Sequence, residues 1–302
     1  MLAPTRASEE YEAQKRLTVA TLAATRRQWA RMGSDWDSSF ATVAPRLTAI
    51  LAAAQLGSAR QGAAYVPEVL DEQGMSPEPV ARVRPESLAG YAADGRTLES
   101  LVSLTLLRSK AGGSLDTGAR FLDMVVETEI ADAHRASIQL ATVARPRTGY
   151  VRMVNTPCCK DCAVLAGKFF RSNAGFLRHP RCKCYHLPTT DPGSRYATYP
   201  EPSEITGLTD GERKALEAGG DYSQVLNASR GASRNKMTTT EGTTRRGVAY
   251  RAMGGDPRRD VRQPGERVRR TTNRRLTPDG IYAIASDDAE AIRLLKAHGY
   301  LT

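Results

Sequence analysis

The sequence predicts a mainly α protein: a helical N-terminal body, a small Cys/His metal-stapled α+β module, and an extended basic C-terminal arm ending in a short helical tail. Three observations carry this expectation. Apolar residues recur at helical spacing through much of the first 145 positions. All five cysteines fall within the 27 residues from Cys158 to Cys184, beside two of the four histidines. The segment Ser229 to Arg275 holds fourteen Lys or Arg against four acids, so the whole formal excess of +10 belongs to it. The boundaries that follow are 1–145 for the body, 146–190 for the Cys/His module, 191–275 for the arm and 276–302 for the tail.

Residues 8–56 read as one or two amphipathic helices. Leu17, Leu22, Trp29 and Met32 recur near helical spacing, Gly33-Ser34 supplies a stop, and Trp36, Phe40, Val43, Leu47, Ile50 and Leu51 resume the pattern. Trp29 and Trp36 are expected as core anchors, and the alanine-rich stretch to Tyr65 suggests close helix packing. Pro77, Pro79 and Pro85 break the chain into a loop before a helix from Leu98 to Ser109. After Gly112-Gly113 comes a helix from Asp116 to Val143, with Leu122, Val125, Val126, Ala133, Ala136 and Leu140 on one stripe. Asp123, Glu127, Asp132 and Arg135 are expected on its other faces. His134 reads as a surface or packing residue, because nothing near it in sequence completes a catalytic pair. Tyr150 to Val154 alternates like a short strand, a short helix is expected near Asp210 to Ala218, and Thr277-Pro278-Asp279-Gly280 opens a helical tail that ends at Gly299. The tail is expected to be a docking element.

The cysteine cluster has metal-ligand spacing. Cys159-x2-Cys162 can turn two thiolates toward one point, and a second group some twenty residues on can close a tetrahedron, as structural zinc requires. Seven side chains are candidates: Cys158, Cys159, Cys162, His179, Cys182, Cys184 and His186. Cys159 and Cys162 form the favoured first pair, because Cys158 points away if Cys159 points in. The second pair is His179 with Cys182, or Cys182 with Cys184, and His186 is a reserve. Disulfides are disfavoured by the odd cysteine count. The first thirty residues carry no apolar h-region and no window reaches eighteen uninterrupted apolar residues. The expectation is therefore a soluble chain made in a reducing cytosol, with no membrane partner. A module this small cannot stabilise itself by burial alone, and bound zinc contributes roughly 10 kcal/mol or more in isolated finger peptides.

The arm suits polyanions. Arg245, Arg246, Arg258, Arg259, Arg262, Arg267, Arg269, Arg270, Arg274 and Arg275 are its candidate nucleic-acid contacts, since Arg-rich chain neutralises phosphates and releases counterions without base preference. Its Thr, Gly, Pro and Arg bias predicts little order without a partner. A solubilising linker, or a strand threading along acidic protein surfaces, remains the alternative. With 6% aromatic residues an extensive base-stacking platform is not expected.

The run from Cys159-Lys-Asp-Cys162 through Gly167 to His179-Pro180-Arg-Cys182-Lys-Cys184-Tyr-His186 resembles the signature of the phage Mu F-like minor head proteins, in the form found in tailed phages of actinobacteria. Glu129, Asp132 and Arg135 on the preceding helix, the stretch from Gln55 to Tyr65, and Leu276 to Tyr282 through His298-Gly299-Tyr300 are similar in kind. Two features depart from the pattern: Cys158 and Cys159 are doubled, and Lys183 stands where an acid is expected. The resemblance implies a structural virion protein of the portal vertex inside the head. It would contact portal and capsid proteins and nonspecifically bound packaged double-stranded DNA, and would pass through the host cytoplasm during assembly.

No catalytic residue is assigned. A metal-dependent nuclease would use His179 or His186 to activate water and the arm to hold substrate, with Asp161 the sole acid in the cluster. A thiol oxidoreductase lacks the βαβ pattern around its C-x2-C. A regulatory DNA-binding protein would need a recognition helix, and none stands out.

Overall fold

The computed structural model describes residues 3–171, 175, 179–196, 198–244, 247–255 and 273–301. In chain order they form α1 (Thr5–Trp29), α2 (Trp36–Glu72), α3 (Leu98–Gly112), α4 (Leu115–Val143), β1 (Gly149–Met153), β2 (Cys158–Cys159), α5 (Lys160–Ala163), β3 (Phe169–Arg171), β4 (Tyr185–Thr189), β5 (Ile205–Thr206), α6 (Asp210–Glu217), α7 (Tyr222–Asn227), β6 (Thr238–Thr239), α8 (Val248–Ala252), β7 (Arg275–Leu276), α9 (Pro278–Ile284) and α10 (Asp288–Ala297). The chain is mainly helical, as its periodicity predicts. Two compact units share it: residues 1–154 with 167–198, and residues 155–166 with 199–302.

In the first unit α1 to α4 pack around Trp29, Phe40, Leu47, Leu51, Leu98, Val102, Leu122 and Val126. Asp35 caps α2 by accepting from the amides of Asp37 and Ser38, and Thr97 and Ser114 cap α3 and α4 in the same way. The first two free amides of α1 are satisfied from outside the helix: Thr5 and Arg6 donate to the Glu72 carboxylate at 2.6 and 2.8 Å. Polar stitches fix the crossings. Ser58 donates to the Ile130 carbonyl and Ser137 to the Ala59 carbonyl, while Arg26 of α1 grips Asp123 of α4 with two donors. Gly118 lets α4 approach α3 and α1, since a Cβ there would clash with the Ser109 hydroxyl and stand 2.7 Å from Trp29. α2 is long and apolar enough to pass for a spanning helix by composition. Its buried face, from Phe40 to Leu70, packs instead on the helices of this unit.

β3, β1 and β4 form an antiparallel sheet in that order. Val151, Met153 and Leu187 from it join Tyr65, Val66, Val69, Leu70 and Ile138 in one core cluster. The expected boundary at 145/146 is therefore absent: the strands after α4 bury their faces on α2 and α4 rather than forming a separate small domain. Trp29 is buried as expected, whereas Trp36 opens α2 and is only half-buried. Two residues assigned to the solvent faces of α4, Asp132 and Arg135, are buried, and Leu140 of the predicted core stripe is 46% exposed.

Over its described residues 199–244, 247–255 and 273–275, the second unit corrects the expectation of an extended arm over 191–275, whose part from 256 to 272 lies outside the described residues. Residues 199–255 contain α6, α7, α8 and short strands, and residues 273–301 pack with them. A capping box of Thr209 and Glu212 starts α6, and Asp221, Thr277 and Asp287 cap α7, α9 and α10. β6 pairs antiparallel with β7, and α6 lies against α9. Leu216, Val225, Leu226 and Ala249 from the expected arm are buried, as are Ile281, Ala291, Leu295 and Tyr300 from the expected tail. Segments lean in apolar residues singly reach a shared core only by combining. The tail thus docks within its own unit.

Arg275 is the largest fully buried side chain. Its guanidinium lies 4.1 Å from the Tyr300 ring centroid and donates from Nη1 to the His298 carbonyl at 2.9 Å. Desolvation first, and the Arg275 charge second, hold His298 below its ordinary value.

Three measurements check this reading. Gly118→Val should lower stability by about 1–3 kcal/mol through overpacking, read by urea titration. Arg275→Ala should cost about 2 kcal/mol, read as a lower thermal midpoint of the unit holding α6 to α10. Because the folded state binds the His298 proton more weakly than the unfolded chain, its contribution is complete above about pH 6.5 and is lost as pH falls below it. His298→Asn should flatten that part of the pH–stability curve.

Candidate metal centre

Each half of the predicted ligand set is built by local chain geometry. In the second unit β2 runs parallel to β5, with Cys158 opposite Ile205 and the Thr206 hydroxyl donating to the Cys158 carbonyl at 3.2 Å. Successive side chains of a strand point oppositely. Cys158 is buried, and burial pushes its thiol up to about 11. Cys159 stands at the N-terminus of the α5 turn and Cys162 lies one helical turn later, so the two sulfurs share a face. Lys160 anchors that turn to α6 through both carboxylate oxygens of the buried Glu212, at 2.7 and 2.9 Å.

In the first unit the chain turns at His179-Pro180-Arg181, where the Cys182 amide donates to the His179 carbonyl at 3.1 Å and Arg181 takes φ of 60°. Arg181 pairs with Glu127 of α4 at 2.7 Å. Cys182 and Cys184 follow, two residues apart, and are 5% and 4% exposed. Nδ1 of the exposed His179 lies 2.8 Å from the Pro180 carbonyl and donates to it.

Within the second unit the Cys159 and Cys162 sulfurs lie within 4.8 Å of each other, and within the first unit so do those of Cys182 and Cys184, so the described residues contain two groups whose donors could hold a metal ion. Sulfur–sulfur edges around tetrahedral zinc are about 3.8 Å for Zn–S bonds of about 2.3 Å, so the spacing within each group and its soft thiolate donors fit such an ion. Four of the five residues favoured from the sequence are in these groups, and Cys158 is in neither.

The reserve ligand His186 is also in neither group. It is fully buried with its ring edge-on to Tyr150 at 4.2 Å, and burial, reinforced by the Arg135, His134 and Arg152 charges, holds it well below its ordinary value. Asp161, the acid a nuclease would need, is exposed. His134 is not a surface residue. It is buried with Nε2 2.6 Å from Glu10 Oε1, and Gly62 makes room for it, since a Cβ there would stand 2.8 Å from the His134 carbonyl. This pair lines a cleft of about 500 Å³ between α1, α4 and residues 181–186.

Of the ten arginines assigned to nucleic acid, Arg245, Arg246, Arg258, Arg259, Arg262, Arg267, Arg269 and Arg270 lie outside the described residues. Arg274 is exposed and donates to Thr238 Oγ1 at 2.9 Å and to the Gly231 carbonyl. Arg275 is removed from the set, because a side chain 1% exposed inside a protein core does not reach a phosphate.

Two further residues escaped the sequence reading. Arg135 of α4 donates from Nη2 to the carbonyls of Cys182 and Cys184, the latter at 3.1 Å, and from Nε to Cys184 at 3.2 Å. Its Nη1 faces Asp132 Oδ1 at 3.3 Å. Arg152 of β1, 2% exposed, donates from Nη2 to Cys182 Sγ at 3.8 Å. The available signal was a lone arginine inside the apolar run Tyr150-Val151-Arg152-Met153-Val154. No protein-family model, curated protein or solved structure matches this chain.

Cobalt(II) or zinc titration of single variants checks the ligand grouping. Cys162→Ser should abolish binding, and Cys158→Ser should leave the bound metal per chain unchanged.

Proposed function

We propose that this chain is a structural, non-enzymatic component of a phage head, of the Mu F-like minor head type, with zinc as its structural ion. The observation that carries the reading is the ligand spacing of Cys159-x2-Cys162 and of His179, Cys182 and Cys184, with the sulfurs of each cysteine pair within 4.8 Å, on the very stretch whose sequence resembles that family. Zinc would be held by Cys159, Cys162 and Cys182 together with Cys184 or His179. A bound ion of this kind cross-links chain segments and supplies no reactive group when its four positions are filled by protein.

The partners in this reading are the portal protein and other capsid proteins, at the portal vertex inside the head, after assembly in the host cytoplasm. The basic stretch supports nonspecific contact with packaged double-stranded DNA. Phosphate neutralisation needs a high density of Arg rather than a folded reading head, and Arg258, Arg259, Arg262, Arg267, Arg269 and Arg270 supply six within thirteen residues. Arg245 and Arg246 extend this set.

The zinc reading is tested by metal analysis of the purified full chain: about one zinc per chain is expected, with loss of protease resistance on chelation, and a chain free of zinc that ignores chelator refutes it. For DNA, changing those six arginines to glutamine should remove most of the salt-dependent affinity for unrelated duplexes. Binding that survives with the same salt slope would move the contact elsewhere. Co-purification with portal protein from assembled heads tests the location.

A further inference from the structure

The two buried arginines beside Cys182 and Cys184 serve more than packing. We infer that Arg135 and Arg152 are positioning residues for a thiolate-rich ion site, Arg135 holding the 182–184 backbone and Arg152 holding the Cys182 sulfur, so that Cys182 and Cys184 act as ligands together. The inference rests on the zinc reading above and concerns which residues make that site work.

Cys182 is buried and receives an N–H from the equally buried Arg152 guanidinium. A cation beside a zinc-bound sulfur offsets the negative charge that several thiolates bring to one divalent ion, and its fixed N–H orients the sulfur. Arg152 is itself fixed on both sides of its backbone: its amide donates to the Lys168 carbonyl at 3.0 Å, its carbonyl accepts from Gly167 at 2.9 Å, and it sits opposite His186 in the β1–β4 pairing.

Arg135 works on the main chain. By donating to the carbonyls of both Cys182 and Cys184, one guanidinium fixes the two peptide units on either side of Lys183 relative to each other, in the backbone whose Cys182 and Cys184 sulfurs lie within 4.8 Å. Asp132, one turn earlier on α4, orients the guanidinium from behind.

The test is made on full-length protein, with zinc affinity measured by competition against a chromophoric chelator and cobalt(II) spectra reporting the sulfur–metal bonds. Arg152→Gln should weaken zinc about tenfold or more and dim the cobalt–thiolate charge-transfer band at unchanged helicity, with Arg152→Lys recovering part of both. Arg135→Lys keeps the charge on α4 but not the two-carbonyl fork, and should speed zinc release about tenfold. It also carries the test if Arg152→Gln does not fold. Wild-type affinity and an unchanged cobalt band in a folded Arg152→Gln or Arg135→Lys protein would overturn the inference while leaving the zinc site standing. A wild-type chain that takes no zinc would overturn both.

Discussion

A guanidinium inside a protein must find acceptors for its fixed fork of donors, and the way Arg135 finds them shapes much of the first unit. Its own helix supplies Asp132, and main-chain carbonyls of the segment that carries Cys182 and Cys184 supply further acceptors. Satisfying this one charge fixes where that segment lies on α4. Arg181, just before it, adds a second tie to the same helix through Glu127. α4 therefore does two jobs at once. One face closes the helical core with Leu122, Val126 and Ile130, and another carries Glu129, Asp132, His134 and Arg135 into the interior as a polar spine. Such a spine costs desolvation unless its members are paired, and the pairs it makes, with Gln55, Glu10 and the cysteine carbonyls, come from α2, α1 and the 181–186 segment.

The second unit repeats the logic with a different cation. Arg275 was expected to face polyanion from an unstructured arm. Its charge is instead accommodated by the Tyr300 ring and the His298 carbonyl. This single side chain joins the end of the basic stretch to the C-terminal helices, and it does so from a region with few large apolar groups. Short capped helices and Thr-rich turns supply the rest of the order: Thr239, Thr243 and Thr277 each donate to a main-chain carbonyl and are nearly fully buried.

Together these features separate two kinds of basic residue that composition merges. Arg135, Arg152 and Arg275 are interior groups whose donors serve carbonyls, a sulfur or an aromatic face. The arginines from 258 to 270 carry the proposed phosphate contacts.

The long helices were legible in the sequence, because an apolar repeat sustained over fifteen or more residues specifies both the element and its buried stripe; the break at Gly33-Ser34 and the span of α4 follow from it. The cysteine spacing was legible too, since position along a turn or a strand sets which neighbouring sulfurs share a side, while the choice of four ligands among the seven candidates was not. What periodicity does not encode is the partner of a buried charge. Asp132 and Arg135 look solvent-facing, and Arg275 looks like part of an arm, until distant carbonyls and a ring 25 residues away are brought to them. Elements of five to eight residues, such as α6, α7 and α8, are likewise too short for a repeat to declare itself, and they become stable only through a core shared with α9 and α10. Local pattern thus determined the long helices and the spacing of the candidate donors, while tertiary structure decided which charges go inside, because only long-range contact can supply the acceptors that make burial of a cation tolerable.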